Sequence, residues 1–82
     1  MSRLQVFILA ELNMAQAFKK VRGITAKELA NRISIKTPID TVYRNIKTLI
    51  DEGFIKEGVK VGKSNSYYIT ESGIAALRKE KN

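Results

Sequence analysis

The sequence predicts an α+β domain in which three helices are followed by a two-stranded hairpin and a short fourth helix. Apolar residues recur with a helical period in three successive segments before residue 51, and β-branched and aromatic residues mark two short segments after it. No stretch rich in proline, glycine or serine divides the chain. With 82 residues, of which 44% are hydrophobic and 28% charged, we expect residues 1–82 to form one small globular domain.

The composition excludes several kinds of chemistry. The chain has no cysteine and no histidine, which rules out disulfides, thiol nucleophiles and the commonest metal ligand and general base. The eight acidic residues show no paired arrangement beyond Asp51 and Glu52, whose side chains point about 100° apart on a helix. We therefore expect neither an enzyme nor a bound cofactor or metal.

The charge balance favours a polyanionic partner. Fifteen lysines and arginines against eight aspartates and glutamates give a net charge of +7, and each phosphate that a cation neutralises releases condensed counterions. The longest run of large apolar residues, 6–9, is far shorter than the roughly 18 residues of a membrane span. The first residues also lack the pattern of a signal peptide, so we expect a cytoplasmic protein without membrane contact.

The first helix is predicted over about residues 2–18. Its apolar stripe is wider than one neighbouring helix would cover, so either the helix buries more than one face or part of it is a dimer interface. The stripe comprises Leu4, Phe7, Ile8, Leu12, Ala15 and Phe18, widened by Val6, Leu9 and Met14. The basic segment, residues 19–22, follows and contains Lys19, Lys20 and Arg22. These cations either end the helix or contact phosphate.

A second helix begins with a strong local signal at Thr25. The Thr25 hydroxyl is placed to accept from the backbone N–H of Glu28, and the Glu28 side chain is placed to reach back to Thr25, as in a capping box. The apolar periodicity continues to Ile33, where we expect the helix to end. Residues 34–36 then form a three-residue turn, the length that a helix-turn-helix requires.

A third helix is predicted over residues 38–51, with Thr37 as its cap and Pro38 at its first position, where no N–H is needed. Asp40 lies in the first turn, where the helix dipole favours a negative charge. Gly53 ends the helix, because glycine readily takes the left-handed conformation that follows a last turn. The stripe that should face the core is Ile39, Val42, Ile46, Leu49 and Ile50.

Two strands are predicted after the third helix, over residues 54–60 and 66–69. They are joined by a polar, glycine-containing loop over residues 61–65. Thr70 then caps a last helix, which we expect over about residues 71–80.

Three sequence motifs, in this order of elements, resemble the winged helix-turn-helix family of DNA-binding domains. They are Ile-Thr-Ala-Lys-Glu-Leu-Ala at residues 24–30, Thr-Val-Tyr-Arg-Asn-Ile at 41–46 with Gly-Phe-Ile at 53–55, and Tyr-Tyr-Ile-Thr-Glu-Ser-Gly at 67–73. The second motif resembles the recognition helix of ferric-uptake-type regulators, and the third resembles regulators of the PadR and MarR kinds. The resemblance implies a helix-turn-helix at about residues 25–52 and a wing, the hairpin of about residues 54–70.

The family implies double-stranded DNA as the partner. Since one small domain reads few base pairs, we expect a homodimer on a two-fold site. The histidine-rich metal sites of ferric-uptake regulators are impossible here, because the chain has no histidine. The long dimerisation helices of PadR-type proteins are missing after Thr70, and no segment remains for a sensing domain, so we expect no small-molecule effector.

The face of the third helix opposite its apolar stripe carries side chains of the types that read base edges in the major groove. It holds Thr37, Thr41, Arg44 and Thr48, flanked by Lys47 and Asp40 on one side and Asn45 on the other. Because the N-terminal part of a recognition helix faces the bases, we expect the first three to contact bases. Lys47 and Thr48 should lie nearer the DNA backbone, and Lys36 in the preceding turn is a further expected DNA contact. Tyr43 is either a half-buried ring with a wet hydroxyl or a phosphate contact.

The wing, over residues 56–66, is expected on the DNA backbone or in the minor groove. Lys60, Lys63, Ser64 and Asn65 lie at or near its tip. Lys56 either contacts DNA or guards the strand edge against pairing with another chain. Because the wing lacks arginine, the usual choice for a narrow minor groove, we expect backbone contact there.

The leading functional hypothesis is sequence-specific binding of double-stranded DNA by a homodimeric transcriptional regulator of a prokaryote, a phage or a plasmid. A close variant is a plasmid or phage accessory protein that binds an origin or transfer site. A hypothesis of another class is a winged-helix module for protein–protein contact, which the same fold allows.

Overall fold

A computed structural model of the chain describes residues 1–81. The helices are α1 (Arg3–Met14), α2 (Ala26–Arg32), α3 (Ile39–Asp51) and α4 (Glu71–Lys81), and the strands are β1 (Ile24–Thr25), β2 (Ile55–Glu57) and β3 (Ser66–Ile69). A short 3₁₀ turn, Lys20–Arg22, lies between α1 and β1. The predicted α+β winged helix-turn-helix is confirmed, with one strand more than expected. Within residues 1–81, every helix is too short or too polar to span a lipid bilayer.

Helix α1 ends earlier than its apolar periodicity suggested. Ser2 and Gln5 form a capping box at its start. The helix ends at Met14, four residues before the predicted end at residue 18, and Gln16 just beyond it takes a φ of 57°, which is incompatible with a continued helix. The chain then turns so that the backbone oxygen of Ala17 accepts from the N–H of Ile69 at 2.9 Å. The backbone hydrogen bond to β3 therefore replaces the last helical turn, and Met14 is left 74% exposed.

The core lies where α1, α2 and α3 pack on one face of the sheet. Its side chains are aliphatic except for one tyrosine, and burial of such groups is the main stabilising contribution to folding. The buried set is Ile8, Leu9, Leu12, Ala17, Ala26, Leu29, Ile33, Val42, Ile46, Leu49, Ile55, Tyr67, Ile69 and Leu77. Leu9, which the sequence placed at the margin of the α1 stripe, is fully buried, whereas Ile39 of the predicted α3 stripe is 40% exposed.

The sheet has three strands, in the order β1–β3–β2, and not the two that the sequence predicted. Both neighbours run antiparallel to β3, with Thr25 opposite Ser66 in one pair and Glu57 opposite Tyr67 in the other. Strand β3 spans the predicted residues 66–69, but β2 is only three residues long. Strand β1 was not predicted because two residues carry no periodicity and because one of them, Thr25, is also the N-cap of α2.

The helix-turn-helix has a longer turn than predicted, six residues over 33–38 instead of three over 34–36, and its caps also differ from the prediction. The Thr25 hydroxyl accepts from the Glu28 N–H at 3.2 Å, whereas the Glu28 carboxylate pairs with Arg32 at 3.1 Å instead of returning to Thr25. Only half of the capping box therefore forms. The residue at the N-cap of α3 is Pro38 and not Thr37, and no side chain caps that end. Gly53 takes a φ of 80°, as predicted for the end of α3.

Thr70 connects the end of α3 to the start of α4. Its hydroxyl accepts from the Gly73 N–H at 3.1 Å, which caps α4 as predicted, and donates to the Gly53 oxygen at 2.7 Å. Its backbone N–H donates to the Phe54 oxygen at 3.0 Å. Helix α4 is thereby fixed to the segment that leaves α3 and packs on α1 and β3.

Candidate nucleic-acid interface

The predicted reading face of α3 is exposed and carries cations. Arg44, Lys47 and Thr48 are exposed, and Thr41 is partly exposed. The Arg44 Nη2 donates to Thr41 Oγ1 at 3.1 Å, and Thr48 Oγ1 donates to the Arg44 backbone oxygen at 3.2 Å. The guanidinium is thus held along the outer face near the second turn of the helix, with donors to spare. A guanidinium in this position has the geometry to bind a guanine edge or a phosphate.

Thr37 and Lys36 lie in the turn that leads into α3. The Thr37 hydroxyl donates to the Ile35 oxygen at 3.1 Å, which stabilises the turn. Thr37 is half-buried and Lys36 is exposed. The expected helix cap at Thr37 is wrong, because Pro38 occupies the N-cap position. The Thr37 hydroxyl therefore bonds within the turn, to Ile35, and not to the helix.

Asn45 points away from the reading face. Its Oδ1 accepts from Gln5 Nε2 at 3.1 Å and from the Ser2 hydroxyl at 3.4 Å, and its Nδ2 donates to the Thr41 oxygen at 2.8 Å. The side chain amide therefore joins α3 to the start of α1. The sequence placed Asn45 beside the base-reading residues, and this placement is wrong because a partner on a distant segment uses its hydrogen bonds.

Tyr43 connects the recognition helix to the sheet. Its side chain is 48% exposed and lies close enough to Tyr67 to influence that residue's ionisation. Burial raises the pKa of the Tyr67 phenol above its ordinary value of 10.0, and the Glu57 carboxylate and the Tyr43 phenol raise this pKa further, whereas the Asn65 side chain lowers it. Tyr67, whose ionisation both Tyr43 and Asn65 influence, was not among the residues predicted from the sequence. Its position opposite Glu57 in the antiparallel hairpin was the signal that could have identified it.

The tip of the wing is a tight turn with a lysine at its centre. Val61 and Ser64 exchange two backbone hydrogen bonds, of 2.9 and 3.1 Å, around Gly62 and Lys63. Gly62 takes a φ of 62°, the conformation that the first central position of a type II′ turn requires. Lys63 therefore projects from the end of the wing, where the sequence predicted it.

The cations of both elements are free of acidic partners. Among the side chains that the structure describes, the one ion pair is Glu28–Arg32, and it lies on α2. The predicted DNA-contacting residues of the wing, Lys60, Lys63, Ser64 and Asn65, are all exposed. A face of α3 with two exposed cations and a wing with two more suit a polyanionic partner.

The chain is similar to proteins of known kind over most of its length, although no family model matches it. The DNA-binding protein TubR of a Clostridium botulinum C phage is 38% identical over 71 residues, which are 87% of this chain and 85% of that protein. The structure of TubR from Bacillus megaterium pBM400 has a TM-score of 0.84 at 22% identity, covering 100% of this chain and 88% of that one. A mutant of MarR from E. coli has a TM-score of 0.77 at 17% identity and matches 96% of this chain with 54% of its own.

Proposed function

The chain belongs to the TubR family of DNA-binding proteins, and from this premise we propose that it binds double-stranded DNA sequence-specifically as a homodimeric regulator. The observation that carries the proposal is the exposed outer face of α3, on which Arg44 and Lys47 have no acidic partner. Duplex DNA offers such a face both phosphates for affinity and base edges for specificity.

In the proposed complex, α3 lies in the major groove with its N-terminal half toward the bases. Arg44 reads a guanine, and Thr41 and Thr37 contact base edges or thymine methyl groups. Lys47, Thr48 and Lys36 flank this set and bind phosphates. Tyr43, with nearly half of its surface exposed, donates its hydroxyl to a phosphate at the edge of the groove.

The wing contacts the DNA backbone or the adjacent minor groove. Lys63 at the turn is the principal contact, and Lys60 lies on the strand side of the same loop. Ser64 and Asn65 supply short donors next to Lys63. Since lysine binds phosphate as a point charge without a fixed direction, the wing contributes affinity and the recognition helix contributes sequence preference.

A homodimer doubles the number of base pairs that one complex reads. The end of α1 supports a self-association surface, because Met14 is 74% exposed and Phe18 is 43% exposed. Sedimentation of the free protein and of the protein on a selected site tests the dimer, and a palindromic site establishes its two-fold symmetry.

The related protein of a Clostridium phage favours a phage or plasmid as the setting. Two roles then share the same binding chemistry: a regulator at a promoter, and an accessory protein at an origin or transfer site. Either role keeps the protein with the DNA in the cytoplasm. Genome-wide mapping of bound sites separates them, because promoters and origins occupy different positions in a replicon.

Selection of binding sites from random duplexes tests the proposed function. We expect one enriched sequence, bound with an affinity that falls steeply as salt rises. An affinity weaker than roughly 100 μM for any duplex at low salt lies below the usual nonspecific range and would refute DNA binding. That result would leave a protein–protein module as the function of the fold.

A further inference from the structure

The basic segment, residues 19–22, has a place in the structure that differs from its predicted one. The sequence left two interpretations open for its cations, the end of the first helix and a phosphate contact. Helix α1 ends at Met14 and has no basic residue in its last turn. The segment instead forms a separate 3₁₀ turn with all three cations exposed, so stabilisation of a helix end does not account for them.

The basic segment lies against the first residues of the wing loop. The Lys20 backbone oxygen accepts from the Val59 N–H at 3.0 Å. A β-carbon at Gly58 would lie 2.5 Å from that same oxygen, so the two segments are in close contact. This backbone contact fixes the segment to the wing and leaves the side chains of Lys20 and Arg22 in solvent.

The segment covers the sheet face that lies away from the recognition helix. Side chains alternate along β3, and Tyr67 and Ile69 belong to the core beneath α3. Ser66 points to the opposite face, where its hydroxyl donates to the Val59 oxygen and where Gly23 packs against it. The wing therefore stands between α3 and the basic segment.

Lys56 adds a fourth cation to this outer face. It pairs with Tyr68 in the register of β2 and β3, so its exposed side chain emerges on the same face as Ser66. No acid occurs in residues 12–27 or 58–70. Glu57, the acid of β2, points to the other face, where it acts on Tyr67. Glu28 lines a groove with Gly23 and Val61 at the margin of this face, but its carboxylate is paired with Arg32. The outer face therefore carries a net positive charge.

A polyanion fits this surface better than a second copy of the chain. Val21 and Val59 are exposed beside the cations and would suit a protein contact. A symmetric contact through the same patch, however, would bring Lys20 and Arg22 of each copy toward one another, and such like-charge contact is destabilising. DNA that continued past the wing would present phosphates to this face.

We propose that the basic segment and Lys56 form an outer phosphate-binding surface, which contacts the DNA backbone beyond the stretch covered by the wing. Lys20 and Arg22 supply the principal contacts and Lys19 and Lys56 flank them. The surface reads no bases; it lengthens the footprint of each protomer on the side away from the recognition helix. This inference rests on the proposed DNA binding, because the surface acts only once α3 and the wing have engaged the duplex.

The test compares two double variants that each remove two positive charges. Lys20→Gln/Arg22→Gln changes the outer surface, and Arg78→Gln/Lys79→Gln changes exposed cations of α4, which packs on α1 and β3. Each is titrated with a long duplex that carries the selected site, at several salt concentrations, and is then footprinted with hydroxyl radicals. Circular dichroism tests whether each variant keeps its fold, and sedimentation tests whether it keeps its oligomeric state.

We expect the Lys20/Arg22 variant to lower the slope of log K against log salt by about 1.8, roughly 0.9 for each lost phosphate contact. Its footprint should shorten at both outer edges while the selected sequence stays the same, and the α4 variant should match the wild type. If the two variants behave alike, or if the Lys20/Arg22 variant changes the oligomeric state, the outer surface is refuted and DNA binding stands. If the wild-type protein leaves no footprint at all, the proposed function and this inference both fail.

Discussion

Gln5 donates from its side-chain amide to the side-chain oxygen of Asn45 at 3.1 Å and thereby joins the first turn of α1 to the middle of α3. The bond is partly buried, and Asn45 also donates back to the Thr41 oxygen at 2.8 Å. The orientation of the recognition helix is consequently set by a polar contact as well as by its apolar stripe. Loss of that contact would leave both helices folded but less firmly attached to each other.

Asn45→Ala should therefore lower the free energy of unfolding by about 1–2 kcal/mol, because it removes the acceptor of a partly buried donor. Urea denaturation measures the loss. The matched variants are Gln5→Ala and the double substitution, and the double-mutant cycle should give a coupling of about 0.5–1.5 kcal/mol. Strictly additive effects would mean that the two side chains do not stabilise each other.

Arg44→Ala should cost about 1–3 kcal/mol of binding free energy on the selected site and relax the preference at one base pair. The reason is that Arg44 is the one guanidinium on the exposed face of α3 and is held by Thr41 at 3.1 Å. Titration of the selected duplex and of duplexes changed one base pair at a time gives the result. Arg78→Ala is the matched control, and an equal loss on every duplex would contradict a base contact by Arg44.

Lys63→Ala should weaken binding to all duplexes alike and lower the salt slope by about one unit. Lys63 lies at the centre of the turn closed by Val61 and Ser64. In the proposed complex its ammonium binds phosphate, and it has no planar group to match a base edge. The measurement is affinity against salt concentration on selected and scrambled duplexes. A preference that changes with the substitution would assign Lys63 to base reading instead.

Thr70→Val should lower the free energy of unfolding by about 1–2 kcal/mol, since it removes both the cap of α4 and the hydrogen bond to the Gly53 oxygen. Thr70→Ser keeps the hydroxyl and should retain most of the stability. Thermal or urea unfolding of the three proteins separates the hydroxyl from the methyl group. If the serine variant loses stability while the valine variant, which keeps the methyl group, does not, packing of the methyl group and not the cap is responsible.

The stability of the domain should fall at alkaline pH through Tyr67. Burial, then Glu57 and Tyr43, raise the pKa of this phenol above 10.0, so the folded state holds the proton more tightly than the unfolded chain. The resulting stability is complete below pH 10.0 and is lost as pH rises through the folded-state value.

Unfolding by urea at a series of alkaline pH values tests this dependence. Tyr67→Phe should lose part of the alkaline decline, because no phenol is left to ionise. Tyr43→Phe should make the decline smaller and end it at a lower pH, because it removes one of the groups that raise the folded-state pKa of Tyr67 and leaves the unfolded-state value unchanged. Identical pH curves for Tyr67→Phe and the wild type would refute the role of this phenol.

Local signals predicted the elements that are fixed by local hydrogen bonds. The Thr25 cap of α2, the left-handed Gly53 after α3 and the Thr70 cap of α4 all involve partners within a few residues. The bounds of β3 were also predicted, because its four residues lie between a polar loop and a cap. The polar face of α3 followed from its periodicity, and Arg44 and Lys47 are exposed there.

Features that depend on distant partners were not predicted. Helix α1 stops at Met14 because Ala17 accepts from Ile69, a residue far along the chain. Asn45 is of a residue type that can read a base edge, but its side chain is bonded to Gln5 and joins α3 to α1 instead. Strand β1 consists of two residues whose strand character comes from pairing with β3. The apolar periodicity of a single segment carries no information about contacts with distant segments, so these three contacts could not be predicted from it.

Strand β1 also determines how the domain assembles. Thr25 and Ser66 are partners in the sheet although about forty residues separate them, and the chain between them contains α2 and α3. Their pairing closes a long loop, whose entropic cost must be met before the sheet is stable. The helix-turn-helix thus lies within a loop that the pairing of β1 with β3 closes. We expect loss of this pairing to loosen α2, α3 and the wing together. We therefore expect cleavage of the backbone between α3 and β3 to lower the stability of the whole domain and not only of the segment that is cut.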